Sequence, residues 1–327
     1  HDRSLELIPP QENTMARARG ANAIMAAAFE TTYGTPPSSG YRKLPFVSSN
    51  LGEEQGLIAS DLLGYGREPL PPSKDVTNND GDVVVPIDLR NFGNWLKLYM
   101  GAPITTLDAG GNTHVFTSGA VALPSCTVEI GLPEVPSYGQ NFGVRGNTMR
   151  VQMQRSGLLT ATLGLIAQGE NKLTSSGAGT PAEASVERFS PFQGAITRGG
   201  VDLGSVVSAD FTYSNNLDKV ETIRRDGRIE DADPGMVMMS GNIAVRFKDT
   251  ALLDQATAGT PVELTFGWVT DASRSLIFKA HAVYLPRAKT PVTGPNGVQA
   301  TFAWQAAKDM TLGKTVTATL VNNVTSY

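Results

Sequence analysis

Leu159, Ala161 and Leu163 alternate with Thr160 and Thr162, and Val316, Ala318 and Leu320 alternate in the same way with Thr317 and Thr319. Met149, Val151 and Met153 alternate with Arg150, Gln152 and Gln154. A period of two sends apolar side chains to one face of a strand and polar ones to the other, the mark of half-buried sheet. Val206–Ser214, Val262–Phe266, Leu276–Tyr284 and Gln299–Trp304, bounded by Gly, Pro, Asn or Asp, predict further strands. Helical spacing is rarer. Phe92, Trp95, Leu96 and Tyr99 recur at intervals of three and four over Asn91–Met100, and Gly101 follows where a helix commonly ends. Asp249–Ala258, with Leu252 and Leu253, stands likewise before Gly259. The Ala-rich stretch Met15–Glu30 predicts an N-terminal helix packing through Ile24, Met25, Ala28 and Phe29. The expected class is mainly β: antiparallel sandwiches or partial barrels, each covered by a short helix.

The pattern also repeats. Phe46–Leu51 resembles Phe211–Leu217, Gly66-Arg67 resembles Gly227-Arg228, and Gly81 before Asp-Val-Val-Val resembles Gly241 before Asn-Ile-Ala-Val. Gly101-Ala-Pro103 matches Gly259-Thr-Pro261, Leu132-Pro133 matches Leu285-Pro286, and Leu159–Leu163 matches Val316–Leu320. Pairs in one order at a slowly drifting offset predict two tandem modules, at 35–167 and 190–327. The small and polar residues of 168–189 predict a linker between them. Residues 15–34 form an N-terminal helix or arm, and 1–14, ahead of Met15, are read as a remnant or misassigned upstream translation. Each module also carries a long polar loop, 64–81 and 225–241, at the same place in the repeat. Long loops in compact modules usually have a job.

Composition narrows the function. With 40% hydrophobic and 18% charged residues the 327-residue chain can bury real cores, and a net charge of -4 gives no general hold on phosphates. Cys126 is the only cysteine, which excludes an intrachain disulfide and a multi-cysteine zinc site. No apolar run approaches the roughly 18 residues of a membrane-spanning helix. His114 and His281 each fall in a predicted strand and read as packed or surface residues; Cys126 reads as a small buried one. No Ser occupies a G-x-S-x-G elbow. Around Asp80-Gly81-Asp82 an EF-hand register would place Val76 and Ile87 at carboxylate positions, so the match fails and a hairpin turn serves as well. Trp95, Trp268 and Trp304 are scattered and read as core. No catalytic, cofactor or metal residues are assigned, and the chain is not expected to be an enzyme.

Ala21-Asn22-Ala23-Ile24, Phe29-Glu30-Thr-Thr-Tyr33-Gly34-Thr-Pro36, Tyr41–Phe46 and Ser48–Leu51 resemble the opening of a family of phage tail tube proteins. The Gly-Arg loop and the Asn91–Gly101 helix extend the resemblance over essentially all of 15–327. It implies a virion protein of a long-tailed phage, made in the host bacterial cytoplasm, that oligomerises into stacked rings. DNA would pass through the lumen without specific binding. A two-module chain resembles the subset that reaches pseudo-sixfold symmetry as a trimer rather than a hexamer. Tape-measure, terminator and tip proteins are the implied partners, with no membrane. The resemblance makes Gly66, Arg67, Glu68, Lys74, Asp75, Gly227, Arg228, Glu230, Asp231 and Asp233 candidates for ring stacking. Thr160, Thr162, Thr317 and Thr319 are candidates for a neutral to acidic lumen lining, since a basic one would make DNA stick.

Three rivals share the composition. A head-decoration or tail-terminator protein would form caps or trimers, never tubes. An extracellular adhesin or carbohydrate-binding module calls for exposed Trp and Tyr on one sheet face. A hydrolase needs a convergent His, carboxylate and nucleophile.

Overall fold

A computed structural model of the chain describes residues 17–190, 194–247, 250–290 and 297–327. In the first half, β1 (Ile24–Phe29), β2 (Arg42–Lys43), β3 (Ser48–Ser49), β4 (Gly52–Ile58) and β5 (Ser73–Pro86) precede helix α1 (Phe92–Met100). Then come β6 (Ile104–Thr106), β7 (Asn112–Thr117), β8 (Cys126–Leu132), β9 (Ser137–Gln154), β10 (Thr160–Ile166), β11 (Gly169–Leu173) and β12 (Ala182–Glu183). The second half runs β13 (Gly194–Arg198), β14 (Val201–Asp202), β15 (Val206–Ser214), β16 (Asp218–Val220), β17 (Asp231–Asp233) and β18 (Met238–Arg246). It ends with α2 (Ala251–Ala258), β19 (Val262–Asp271), β20 (Arg274–Tyr284), β21 (Gln299–Ala307) and β22 (Val316–Asn322). The fold is mainly β, as the alternation predicts.

One layer of sheet runs β3/β4, β5, β10, β9, β15, β18, β21, β20. The covering layer is built from β1, β8, β9 and β11 on one side and β13, β19, β20, β22 and β7 on the other. The long strands β9 and β20 thus belong to both layers. A single apolar core lies between them, with Val83, Val85, Met149, Val151, Leu163, Phe211, Ile243 and Phe302 facing Val128, Val144, Leu264, Phe266, Phe278 and Leu320. Every residue of α1 except Lys97 is buried, whereas α2 buries only Leu252 and Ala256. The aromatic spacing that predicted α1 is therefore the spacing of a plug. Trp95, Trp268 and Trp304 are all core residues.

The two halves are joined at two seams. Residues 148–154 of β9 pair with 208–214 of β15, and β22 pairs with β7. At the first seam Asn215 is buried, its Nδ2 donating to the carbonyls of Tyr99 (2.9 Å) and Gly146 (2.8 Å). Asn215→Ala leaves both carbonyls without this donor. We expect it to cost about 2–3 kcal/mol, read as a lower urea midpoint; an unchanged midpoint would show that the corner is held elsewhere.

Four expectations need correction. The predicted N-terminal helix is, in its described part, a short 3-10 turn (Gly20–Asn22) and strand β1; Met15 and residues 1–14 lie outside the described residues. Strand pairing with β8 and β2 overrides the helix propensity of alanine. Met25, Ala27 and Phe29 alternate toward the main core while Ala26 and Ala28 meet Tyr41. The predicted linker 168–189 contains β11, which pairs with β9, and β12, which pairs with β2, so it is tied into the sheet at two places and is not a free connection. Asp80, Gly81 and Asp82 lie inside β5, neither a turn nor an ion loop. The match of Leu159–Leu163 to Val316–Leu320 does not survive the pairing, because β10 neighbours β5 and β9 whereas β22 neighbours β20 and β7.

Candidate assembly surfaces

Directly opposed residues on neighbouring strands share a face of the sheet. One row across the first layer reads Val84, Thr162, Arg150, Thr212, Ser240, Gln305, and the next reads Gln152, Asp210, Asn242, Ala303. The opposite parity reads Val85, Ala161, Val151, Phe211, Gly241, Trp304 and faces the core. The outward face is thus polar and continuous over both halves. The face carries both signs, Asp80, Asp82 and Asp210 with Arg150 and Arg246, and Lys219 pairs with Asp80 at 2.7 Å.

Thr160 and Thr162 sit on this face. Thr317 and Thr319 do not; they belong to β22 in the covering layer, where Thr317 Oγ1 lies 2.8 Å from His281 Nε2. The strand that stands where β10 stands is β21, with Gln299, Thr301, Ala303 and Gln305 outward. The alternation of Thr and apolar residues signals a half-buried strand but does not say in which layer it lies, and the two threonine pairs fall in different layers.

The first polar loop is largely strand. β4 and β5 form a long hairpin whose tip is 59–72, so Lys74 and Asp75 lie on β5 while Gly66, Arg67 and Glu68 are in the tip. Leu57, Ile58, Leu62, Leu63, Tyr65 and Val76 are exposed on this arm, Leu63 at 91%. Sequence reading by polarity passed over these apolar residues, although an exposed apolar cluster on a protruding hairpin is the stronger mark of a contact surface.

The second loop folds back on the first half of the chain. Gly227 O accepts from Thr77 N at 3.1 Å. Arg228 Nε donates to Glu53 Oε2 at 2.7 Å, its Nη2 to Glu170 O at 2.9 Å, and its guanidinium lies over the Phe142 ring. Gln168 Nε2 donates to Glu230 O, and Arg145 pairs with Asp231 at 3.2 Å. Asp231 and Asp233 bound β17, which pairs with β16. Burial, followed by the Asp231 charge, pushes the Tyr33 phenol beneath Arg145 well above its ordinary range. The two loops therefore differ in use: the first protrudes, the second clasps its own chain.

The groups with chemical potential are packed. His114 is buried; its Nε2 donates toward Val324 O (2.9 Å) and Asn322 Oδ1 (3.1 Å), and Nδ1 accepts from Thr105 Oγ1 (2.9 Å). Burial lowers its basicity and raises the Cys126 thiol well above its usual range. Among the described residues no three His, Cys, Asp or Glu side chains are placed to hold a metal ion.

Fold and surfaces together define a β-sandwich protein with a broad polar sheet face and an apolar-tipped arm. The family model described as phage tail tube protein matches residues 20–306, and the chain belongs to that family. It is accordingly a structural protein of the phage tail and a component of the virion. No curated protein matches the chain.

Proposed function

We propose that the chain is two fused copies of one tube-forming unit, and that copies of it join head to tail into rings that stack into the DNA-conducting tube. The observation that carries this reading is the polar face, continuous across the internal seam. A sheet whose strands tilt and curl can close around an aqueous lumen when strands are numerous, and closure removes the exposed edges that invite aggregation. Balanced charge on that face suits passage of DNA without retention by counterion release.

Strand register supports the duplication. Ser48 pairs with Val84 as Ser208 pairs with Ala244, and Gly52 pairs with Asp80 as Thr212 pairs with Ser240, so both partners advance by 160 residues (48 to 208, 84 to 244). Ala161 faces Val85 and Leu165 faces Gly81, as Ala300 faces Val245 and Trp304 faces Gly241, an advance of 139 for the other strand (161 to 300). Six similar units around a lumen need three chains, so we favour a trimer over a hexamer. Heterologous contacts of this kind close into rings, and stacking through the arms extends them.

Negative-stain microscopy of the purified protein should show rings or tubes with a central channel, and light scattering should give a mass near three chains for the unstacked ring. Particles that remain single chains at assembly concentrations would refute the reading.

A further inference from the structure

Within the chain, the side of β15 that faces away from β18 is covered by the last third of β9. On the duplicated-unit reading, on which this inference rests, the counterpart of β15 is β3/β4. Its outer edge has no strand partner among the described residues, since β3 and β4 pair only with β5. Asn50 N–H bonds Asp82 O of β5, so the alternate N–H groups of Leu51 and Glu53 point away from it. In the free chain they are held by side chains, Ser49 Oγ at 3.2 Å and Glu170 Oε2 at 3.0 Å.

The counterpart of the covering strand also exists, and is equally unpartnered. Ile166 of β10 pairs with Arg145, and Gln305 of β21, its counterpart, pairs with Tyr284. Tyr284 therefore stands where Arg145 stands. Beyond Arg145 the chain continues as the seam-forming part of β9; beyond Tyr284 it continues as Leu285–Thr290, which has no sheet pairing among the described residues. The alternation nevertheless matches. Leu285 is buried and Ala288 packs on the core, while Arg287 and Lys289 are exposed, as Gly146 and Met149 are buried and Arg150 is exposed.

We infer that Leu285–Thr290 of one chain adds as an antiparallel strand to the β3/β4 edge of a second copy of this chain, reproducing between chains the β9–β15 seam within each. The occupant is a second copy because the equivalent edge inside the chain is covered by this chain's own equivalent strand. Backbone pairing supplies the attraction, and the side chains alternating on the two faces set the register.

The internal pairs Thr212–Arg150 and Ser214–Thr148 translate to Gly52–Lys289 and Glu54–Arg287 between chains. The full chain carrying Gly52→Cys and Lys289→Cys should form intermolecular disulfides on mild oxidation, moving most of the protein to reducible multimer bands that end at the ring size. The native Cys126 is buried and contributes no background. Glu54→Cys with Arg287→Cys is a second pair at exposed positions, should the first disturb folding. If microscopy shows rings in the same samples but both pairs stay monomeric on oxidation, the strand assignment is overturned while ring formation stands. If no rings form at all with the unsubstituted chain, the assembly reading fails and this inference with it.

Discussion

A chain in which residues 61–70 are replaced by a short Gly-Asn turn should still fold and form rings, and those rings should fail to stack into tubes. The cut falls in the tip and leaves the paired parts of β4 and β5 intact, because β4 ends at Ile58 and β5 begins at Ser73. It removes Leu62, Leu63 and Tyr65, exposed at 63%, 91% and 66%. Fully burying an apolar side chain of this size is worth about 1.5–3 kcal/mol, and a ring offers the arm of every chain at once. The loss should therefore be nearly complete, not graded. Electron micrographs of wild type and variant at equal concentration test it, and tubes of normal length from the variant would remove the arm from the stacking contact.

Gly241→Val should be among the most damaging single substitutions. A Cβ at Gly241 would run into the carbonyl oxygen of Asp210 and the Cα of Phe211, both backbone atoms of β15 that no rotamer change can clear. Strand β18 lies between β15 and β21, so the clash can be relieved only by parting a central pair of the polar layer. About 3 kcal/mol or more of stability should be lost, seen as a lower denaturant midpoint and loss of rings. Gly81→Val should behave alike, because its Cβ would meet Asn50 O and Leu51 Cα, the same environment in the first half. Strongly unequal effects at the two glycines would count against two copies of one unit; equal tolerance would show that β15 and β18 have slack in their spacing.

These glycines also show how far the sequence carries. The match of Gly81 with Gly241 is legible because a close approach of backbones admits no side chain, and the structure puts both in the same contact. The aromatic spacing of α1 is legible because burial on all sides demands it. By contrast, the match of Phe46 with Phe211 is displaced, since register sets Ser48 against Ser208 and Leu51 against Phe211. Short alternating runs resemble one another wherever one face is buried, so they fix the presence of a strand and leave its neighbours open. The fate of the two polar loops was illegible for a related reason. Arg67 and Arg228 have the same local sequence, and only the carboxylate of Glu53 and the ring of Phe142, distant along the chain, decide that one is clasped and the other exposed.

The strand β7 has a mechanical meaning. It lies between α1 and β8 and covers the edge of β22, giving the joint between the two halves a second pair of strands. Among the described residues the second half has no counterpart at this place, for only Gly259, Thr260 and Pro261 lead from α2 into β19. In a closed ring of such chains, stiff doubly laced joints would alternate with compliant single ones. Strain from bending the tail would gather at the chain boundaries, and a ring pulled apart would rupture there, releasing intact subunits.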